Sequence, residues 1–233
     1  LGSLAISGTL ESVDKAGRER ESAYQTVLKG LELRRDIEKS VGDTNVARSA
    51  SDPRKSASLL TWITNISAPS DMGAATGDGT DTADVTGTAR ALTLAQIEAA
   101  NQAAWEDGGS PKILVCSATN KANISNLSAA GTNLVTNQVN ATAGTAPSFV
   151  GAVSVFLTDF GELQLTPSRF MSNDKLFVID PEYVSIGTLN GRNFAESELS
   201  KTGDAEKTQI VTEYTLVVKA PKAHGAVIGL NGS

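Results

Sequence analysis

Apolar residues recur with a helical period along residues 16–42. At roughly 100° per residue, Ala23, Val27, Leu31, Tyr24 and Leu28 share one stripe, and Ile37 and Val41 extend its edge. A helix from Arg18 to Val41 would be about 36 Å long at about 1.5 Å per residue. Gly42 supplies a left-handed stop, and Lys39 sits near the negative end of the dipole. Gly30, in the middle, costs helix stability. In the second half Arg34, Arg35, Asp36, Glu38 and Lys39 occupy nearly every azimuth, with Arg34 and Glu38 inside the apolar stripe. That half is either a solvated helix end with an internal Arg34 to Glu38 pair, worth only tenths of a kcal/mol, or a ladder of charges facing another subunit.

Residues 43–90 read as connection around one apolar patch, SLLTWITNI, followed by the small-residue loop SAPSDMGAATGDGTDTADVTGT, expected to be mobile or extended. A second helix is predicted in TLAQIEAANQAAWEDGG. Thr93 is its cap, Gln96 follows three residues on as in a capping box, Leu94, Ile97 and Ala104 face inward, and Gly108 and Gly109 end it. KILVCS then reads as a buried strand and SATNKANISNLS as a helix or turn. Beyond residue 150 the pattern becomes β. VSVFL and ELQLTP flank the hairpin turn 158–161, and KLFVI and YVSIGTL are strands split by Asp180 and Pro181. KTQIVTEYTLVVK reads as one strand with Ile210, Tyr214, Leu216 and Val218 on a face, and HGAVIGL is the last strand. The stretch RNFAESELSKTGDAEK is expected to be a polar connection.

Composition narrows the function. A chain of 233 residues can bury a substantial core, and its one cysteine, Cys116, cannot form an intrachain disulfide. With 26 acidic and 20 basic side chains the net charge is −6, and no long basic run would neutralise a row of phosphates, so sequence-specific nucleic-acid binding is disfavoured. No apolar window is long enough to span a membrane, and the pattern suits a soluble intracellular protein.

Candidate chemistry is sparse. Lys201-Thr202-Gly203 matches one landmark of penicillin-recognising serine hydrolases, and Ser12 to Lys15 matches the S-x-x-K landmark. The S-D-N landmark is missing, K-T-G falls in a charged loop, and Ser172 to Lys175 repeats S-x-x-K, as such a short pattern readily does. Asp78, Asp81 and Asp84 invite a calcium reading but lack the EF-hand spacing and terminal Glu. His224, the single histidine, has no second histidine to share a metal and reads as a structural or surface residue. No catalytic residue, cofactor site or metal site is assigned, so a structural role is favoured over an enzymatic one.

The order of the segments carries a resemblance. SGTLESVDKAGRERESAYQTVLKGLELRRDIEKSVGD, GTARALTLAQIEAANQAAWEDGGSPKILVCSATNKANIS, DFGELQLTPSRF, LFVIDPEYVSIGTL and ELSKTGDAEKTQIVTEYTLVVK together resemble tailed-bacteriophage major capsid proteins of the Hong Kong 97-type fold. The resemblance implies an α+β fold with a long spine helix, a peripheral-domain sheet and a mixed α/β axial domain. Residues 1–12 would be the end of an extended loop or arm, most of which is absent; 13–90 the peripheral domain with the spine; 91–190 the axial domain; and 191–233 the returning peripheral strands. It also implies hexamers and pentamers tiling an icosahedral shell around double-stranded DNA, without sequence-specific contacts to it. Scaffolding, portal and decoration proteins are further partners, and synthesis is in the host bacterial cytoplasm. Arg34, Arg35, Asp36 and Glu38 become candidates for pairing between subunits, and K-T-G becomes the approach to a long strand. The alternatives are an encapsulin-type container for protein cargo and, less in keeping with the residues, the serine hydrolase.

Overall fold

The computed structural model describes residues 1–13, 17, 20–129, 155–201 and 203–232. In chain order its elements begin with β1 (Gly2–Ser7), α1 (Gly8–Ser12), α2 (Glu21–Gly42), β2 (Asn65–Ser67) and α3 (Leu94–Glu106). Next come β3 (Ile113–Cys116), α4 (Ala118–Ala129), β4 (Val155–Thr158), β5 (Gly161–Pro167) and β6 (Lys175–Ile179). Last are β7 (Val184–Thr188), β8 (Ala195–Leu199), β9 (Ala205–Val211), β10 (Tyr214–Val218) and β11 (Gly225–Ile228). They form two compact units, Leu1–Ser40 with Ile186–Thr215, and Val41–Ser185 with Leu216–Ser233.

The first unit holds α2 and an antiparallel sheet ordered β1-β9-β8, in which Gly2 faces Ile210 and Ala195 faces Val211. The Gly8 N–H donates to the Asp204 carbonyl at 2.6 Å, and a Cβ there would sit 2.4 Å from an Asp204 carboxylate oxygen. Two sequence expectations fail here. The polar stretch 192–207 is not simply a connection, since Ala195–Leu199 is strand β8. It lies at the sheet edge with Glu196 and Glu198 exposed, so it lacks the half-apolar alternation that reveals a strand, while its charges discourage further pairing along that edge. The long strand expected over 207–219 is broken at Thr212 and Glu213 into β9 and β10, which belong to different sheets. Glu213 anchors the break, donating its N–H to the Arg192 carbonyl at 3.0 Å and pairing with the Arg192 side chain at 2.6 Å.

The second unit is built on a mixed six-stranded sheet ordered β2-β11-β6-β3-β5-β4. Leu114, Leu163, Leu165, Val178 and Val227 pack with Ile97 and Ala100 of α3 and Ile124 of α4. The alternate residues Phe177, Ala226 and Ile228 pack with Leu59, Leu60 and Ile63 from the SLLTWITNI patch, plus Met171 and Leu216. The patch therefore forms one side of a core, as its composition suggests. The capping box also forms, Thr93 donating its N–H to Gln96 Oε1 at 3.3 Å. The β4–β5 turn is placed as predicted, with Thr158 opposite Gly161. The small-residue loop is closed by a bridge between Gly73 and Asp84, and the Asn45 side chain brackets the backbone of buried Ala83 at 2.8 and 3.2 Å.

Candidate functional site

Helix α2 packs on its own unit with an unexpected face. Ser22, Thr26, Lys29, Leu33, Ile37 and Ser40 recur at three- and four-residue spacing, and Leu33, 6% exposed, is the one buried residue of the helix. Ser22 donates from its N–H and its hydroxyl to the Glu11 carboxylate at 3.3 and 2.9 Å. The Lys29 stem passes β1 where Gly2 has no side chain; a Cβ there would lie 2.9 Å from two of its carbons. Lys29 Nζ then reaches Glu32 at 2.7 Å. At the end of the helix, Ser40 and Tyr214 join hydroxyl to hydroxyl.

Three residues of the apolar stripe are exposed. Val27 is 63% exposed, Leu31 47% and Tyr24 40%. The stripe marks the helix, while the residues that meet the chain's own partners are Ser22, Lys29, Leu33 and Ser40. Beside the stripe runs a groove of about 280 Å³ lined by Val27, Gly30, Leu31 and Arg34 from α2 and by Phe194 and Glu196 from the sheet side.

Of the four charged residues singled out from sequence, Arg34, Arg35, Asp36 and Glu38 are all exposed. The Arg34 guanidinium lies over the Phe194 ring, 5.5 Å from its centre, a contact worth about 0.5–1 kcal/mol at an exposed site. Arg35 Nε donates to the Leu31 carbonyl at 3.4 Å. Phe194 itself, which the sequence reading missed, has φ of 50°. A bulky side chain in that region carries about 1–3 kcal/mol of strain, which no sequence pattern advertises.

The other candidates are absorbed by local structure. Asp78 accepts from the Thr80 hydroxyl, the Thr80 N–H and the Thr76 hydroxyl, which hold its carboxyl down at about 2. Asp81 accepts from Thr76, and Asp84 from Thr86, so each carboxylate closes its own turn. Ser12 donates to the Thr9 carbonyl at 3.1 Å, and Lys201 pairs with Glu206 at 2.8 Å in the turn before β9; Lys15 and Thr202 lie outside the described residues. Lys175 is buried between Asp43 and Asp174 at 3.6 and 3.7 Å, and Ser172 donates its hydroxyl to Asp174. His224 is fully buried.

A long helix with an exposed apolar stripe is a candidate surface for protein contact. The family model of the SU10 major capsid protein matches residues 3–231. The chain belongs to that family. Its function is that of a major capsid protein, a shell-forming subunit located in the virion capsid. No curated protein sequence matches it. Among solved structures it is similar to the holo-SrpI encapsulin complex from Synechococcus elongatus PCC 7942, with 10% identity and a TM-score of 0.61 over 100% of this chain and 73% of that one. A structure from Mycobacterium phage Bobi has 15% identity and a TM-score of 0.57 over 97% and 70%. The phage G major capsid and decoration protein structure gives 13%, 0.52, 99% and 70%. At these identities the structural likeness carries the fold, which is the Hong Kong 97-type capsid fold anticipated from the order of the segments.

Proposed function

We propose that copies of this chain associate across the outward face of α2 and close into hexamers and pentamers that tile an icosahedral head shell around the double-stranded DNA of a tailed phage. In this reading residues 13–90, with the spine helix, and residues 191–233 form the peripheral domain, and residues 91–190 form the axial domain. Arg34, Arg35, Asp36 and Glu38 pair with charges of neighbouring copies at the rim of the apolar stripe. The subunit performs no catalysis. It is made in the host bacterial cytoplasm, and scaffolding, portal and decoration proteins act on the assembling shell. The acidic net charge of −6 suits a container whose wall does not adhere to DNA during packaging.

The observation that supports this reading most is the exposure of Tyr24, Val27 and Leu31 on α2, whose one buried residue is Leu33. A folded monomer gains nothing by leaving them in water, whereas repeated weak contacts add up in a closed array. Each contact need only be modest when the rotation relating neighbours closes.

The test is assembly of the wild type against the double variant V27D/L31D, followed by light scattering and electron microscopy. The wild type should form closed particles with a nucleic-acid absorbance when taken from infected cells, and the variant should remain small with unchanged circular dichroism. A wild type that stays monomeric at high concentration, or a double variant that still forms shells, overturns the reading. Particles that carry protein cargo and no nucleic acid would favour the encapsulin-type container.

A further inference from the structure

The second compact unit contains a tight junction built around the chain's single histidine. His224 follows a short helical turn (Pro221–Ala223) and immediately precedes β11. It is fully buried, and its Nδ1 accepts the N–H of Asp180 at the end of β6, at 3.1 Å. An imidazole that accepts at Nδ1 carries its proton on Nε2 and is neutral. That Nε2 is itself buried without a partner among the described residues.

Three connections meet there. The buried Asp180 carboxylate accepts the Ser110 N–H from the α3–β3 connection at 2.9 Å and the Glu182 N–H from the β6–β7 connection at 3.0 Å. The backbone of Ala223 abuts Gly109, where a Cβ would sit 2.6 Å from the Ala223 carbonyl oxygen. Gly225 meets the Ala100 carbonyl equally closely, at 2.5 Å from a hypothetical Cβ. These are backbone contacts, so the segment that carries His224 is held close against α3 and the α3–β3 connection.

A second proton on this ring has only one place to go, Nδ1, and would set N–H against N–H at the end of β6. The charged groups of the surrounding elements do little to offset this. Asp107 at the end of α3 pairs at 4.0 Å with Lys222, whose side chain is largely exposed, and Lys112 and Glu182 are exposed. Asp180 is the one charge that draws a proton toward the ring, and the cost of burying the cation outweighs it, so the imidazole is held below its usual 6.5.

We propose that the His224–Asp180 junction is an acid-operated latch in which uptake of one proton at Nδ1 releases the end of β6 and, with it, the connections at Ser110 and Glu182. Because the folded imidazole binds its proton less readily than the unfolded one, the latch is fully closed above the unfolded value of about 6.5 and weakens as pH falls below it. The effect is proton-linked and independent of carboxylates elsewhere.

The test uses the full chain labelled in histidine, whose only imidazole can be followed by nitrogen and carbon NMR, together with urea unfolding from about pH 8 to pH 5 for the wild type and His224→Gln. Glutamine keeps an acceptor for the Asp180 N–H but does not titrate. The expected result is an Nε2–H tautomer that persists below 6.5, and a wild-type folding equilibrium constant that falls by up to about tenfold per pH unit relative to the variant. An imidazole that titrates at or above 6.5, or parallel pH slopes for the two proteins, overturns the proposal. Should H224Q not fold, the NMR titration of the wild type decides alone.

Discussion

Gly225 in β11 lies so close to Ala100 in α3 that a Cβ on the glycine would sit 2.5 Å from the Ala100 carbonyl oxygen and 3.0 Å from its carbon. Both are backbone atoms of packed elements, so the helix or the strand must shift to admit a methyl group. Gly225→Ala should therefore cost about 1–3 kcal/mol, as overpacking does. At about 2–4 °C per kcal/mol for a chain of this size, the loss is readable by thermal unfolding. Gly73 provides the control, since a Cβ there meets nothing within 4 Å and its φ is ordinary. Gly73→Ala should leave the midpoint within about 0.5 kcal/mol of wild type.

Gly30 separates folding from assembly. A Cβ at this position in α2 meets nothing within 4 Å, although the glycine lines the groove beside Val27 and Leu31. The chain's own packing gives no reason for a glycine in mid-helix, where it costs about 0.8–1 kcal/mol against alanine. Gly30→Ala should thus stabilise the isolated chain by roughly that amount. If neighbouring backbone approaches here in the shell, Gly30→Leu should keep the fold yet lower the yield of closed particles. Denaturant unfolding checks the first outcome and electron microscopy the second; full assembly of Gly30→Leu would remove the groove from the contact surface.

Tyr214 fastens the end of α2 to the start of β10. The Ser40 hydroxyl donates to the Ile37 carbonyl at 3.2 Å, which leaves the Tyr214 hydroxyl as donor to Ser40. Tyr214→Phe retains the ring and deletes that bond. It should lower stability by about 0.5–1.5 kcal/mol, with a raised hydrogen-exchange rate in the last turn of the helix.

These residues also mark how far the sequence is informative. Periodicity locates α2, and capping chemistry locates α3, because both depend on residues close in the chain. The azimuth of α2 is not set by that periodicity, since Ser22, Lys29 and Ser40 are held by partners at Glu11, Gly2 and Tyr214 that no local pattern reveals. β8 escaped notice because an edge strand carrying exposed Glu196 and Glu198 lacks an apolar face. The break between β9 and β10 was hidden for the opposite reason, as alternation continues through Thr212 and Glu213 while the hydrogen bonds change partner at Arg192. The charge cluster at Arg34 to Glu38 was visible at once, but Phe194 beneath Arg34 is distant in sequence and set by an unusual φ.

Asp43, just past α2, links acid sensitivity to a second buried cluster. Its carboxylate accepts the Ser172 N–H at 2.7 Å and faces buried Lys175 at 3.6 Å. Burial pushes its proton affinity up, but the Ser172 hydrogen bonds together with the Lys175 charge outweigh burial and hold the carboxyl below the usual 3.8. With a folded value below the unfolded one, the stabilisation is complete above the unfolded value and is lost as pH falls through the folded value. Asp43→Asn keeps an acceptor for Ser172 but removes the charge opposite Lys175, and should cost about 1–3 kcal/mol at neutral pH. The difference between the two proteins should then shrink below about pH 4, where the wild type protonates and the asparagine variant has nothing to lose. Urea unfolding at successive pH values measures this; a gap that stays constant down to about pH 2 would mean that the charge of Asp43 does not stabilise the fold.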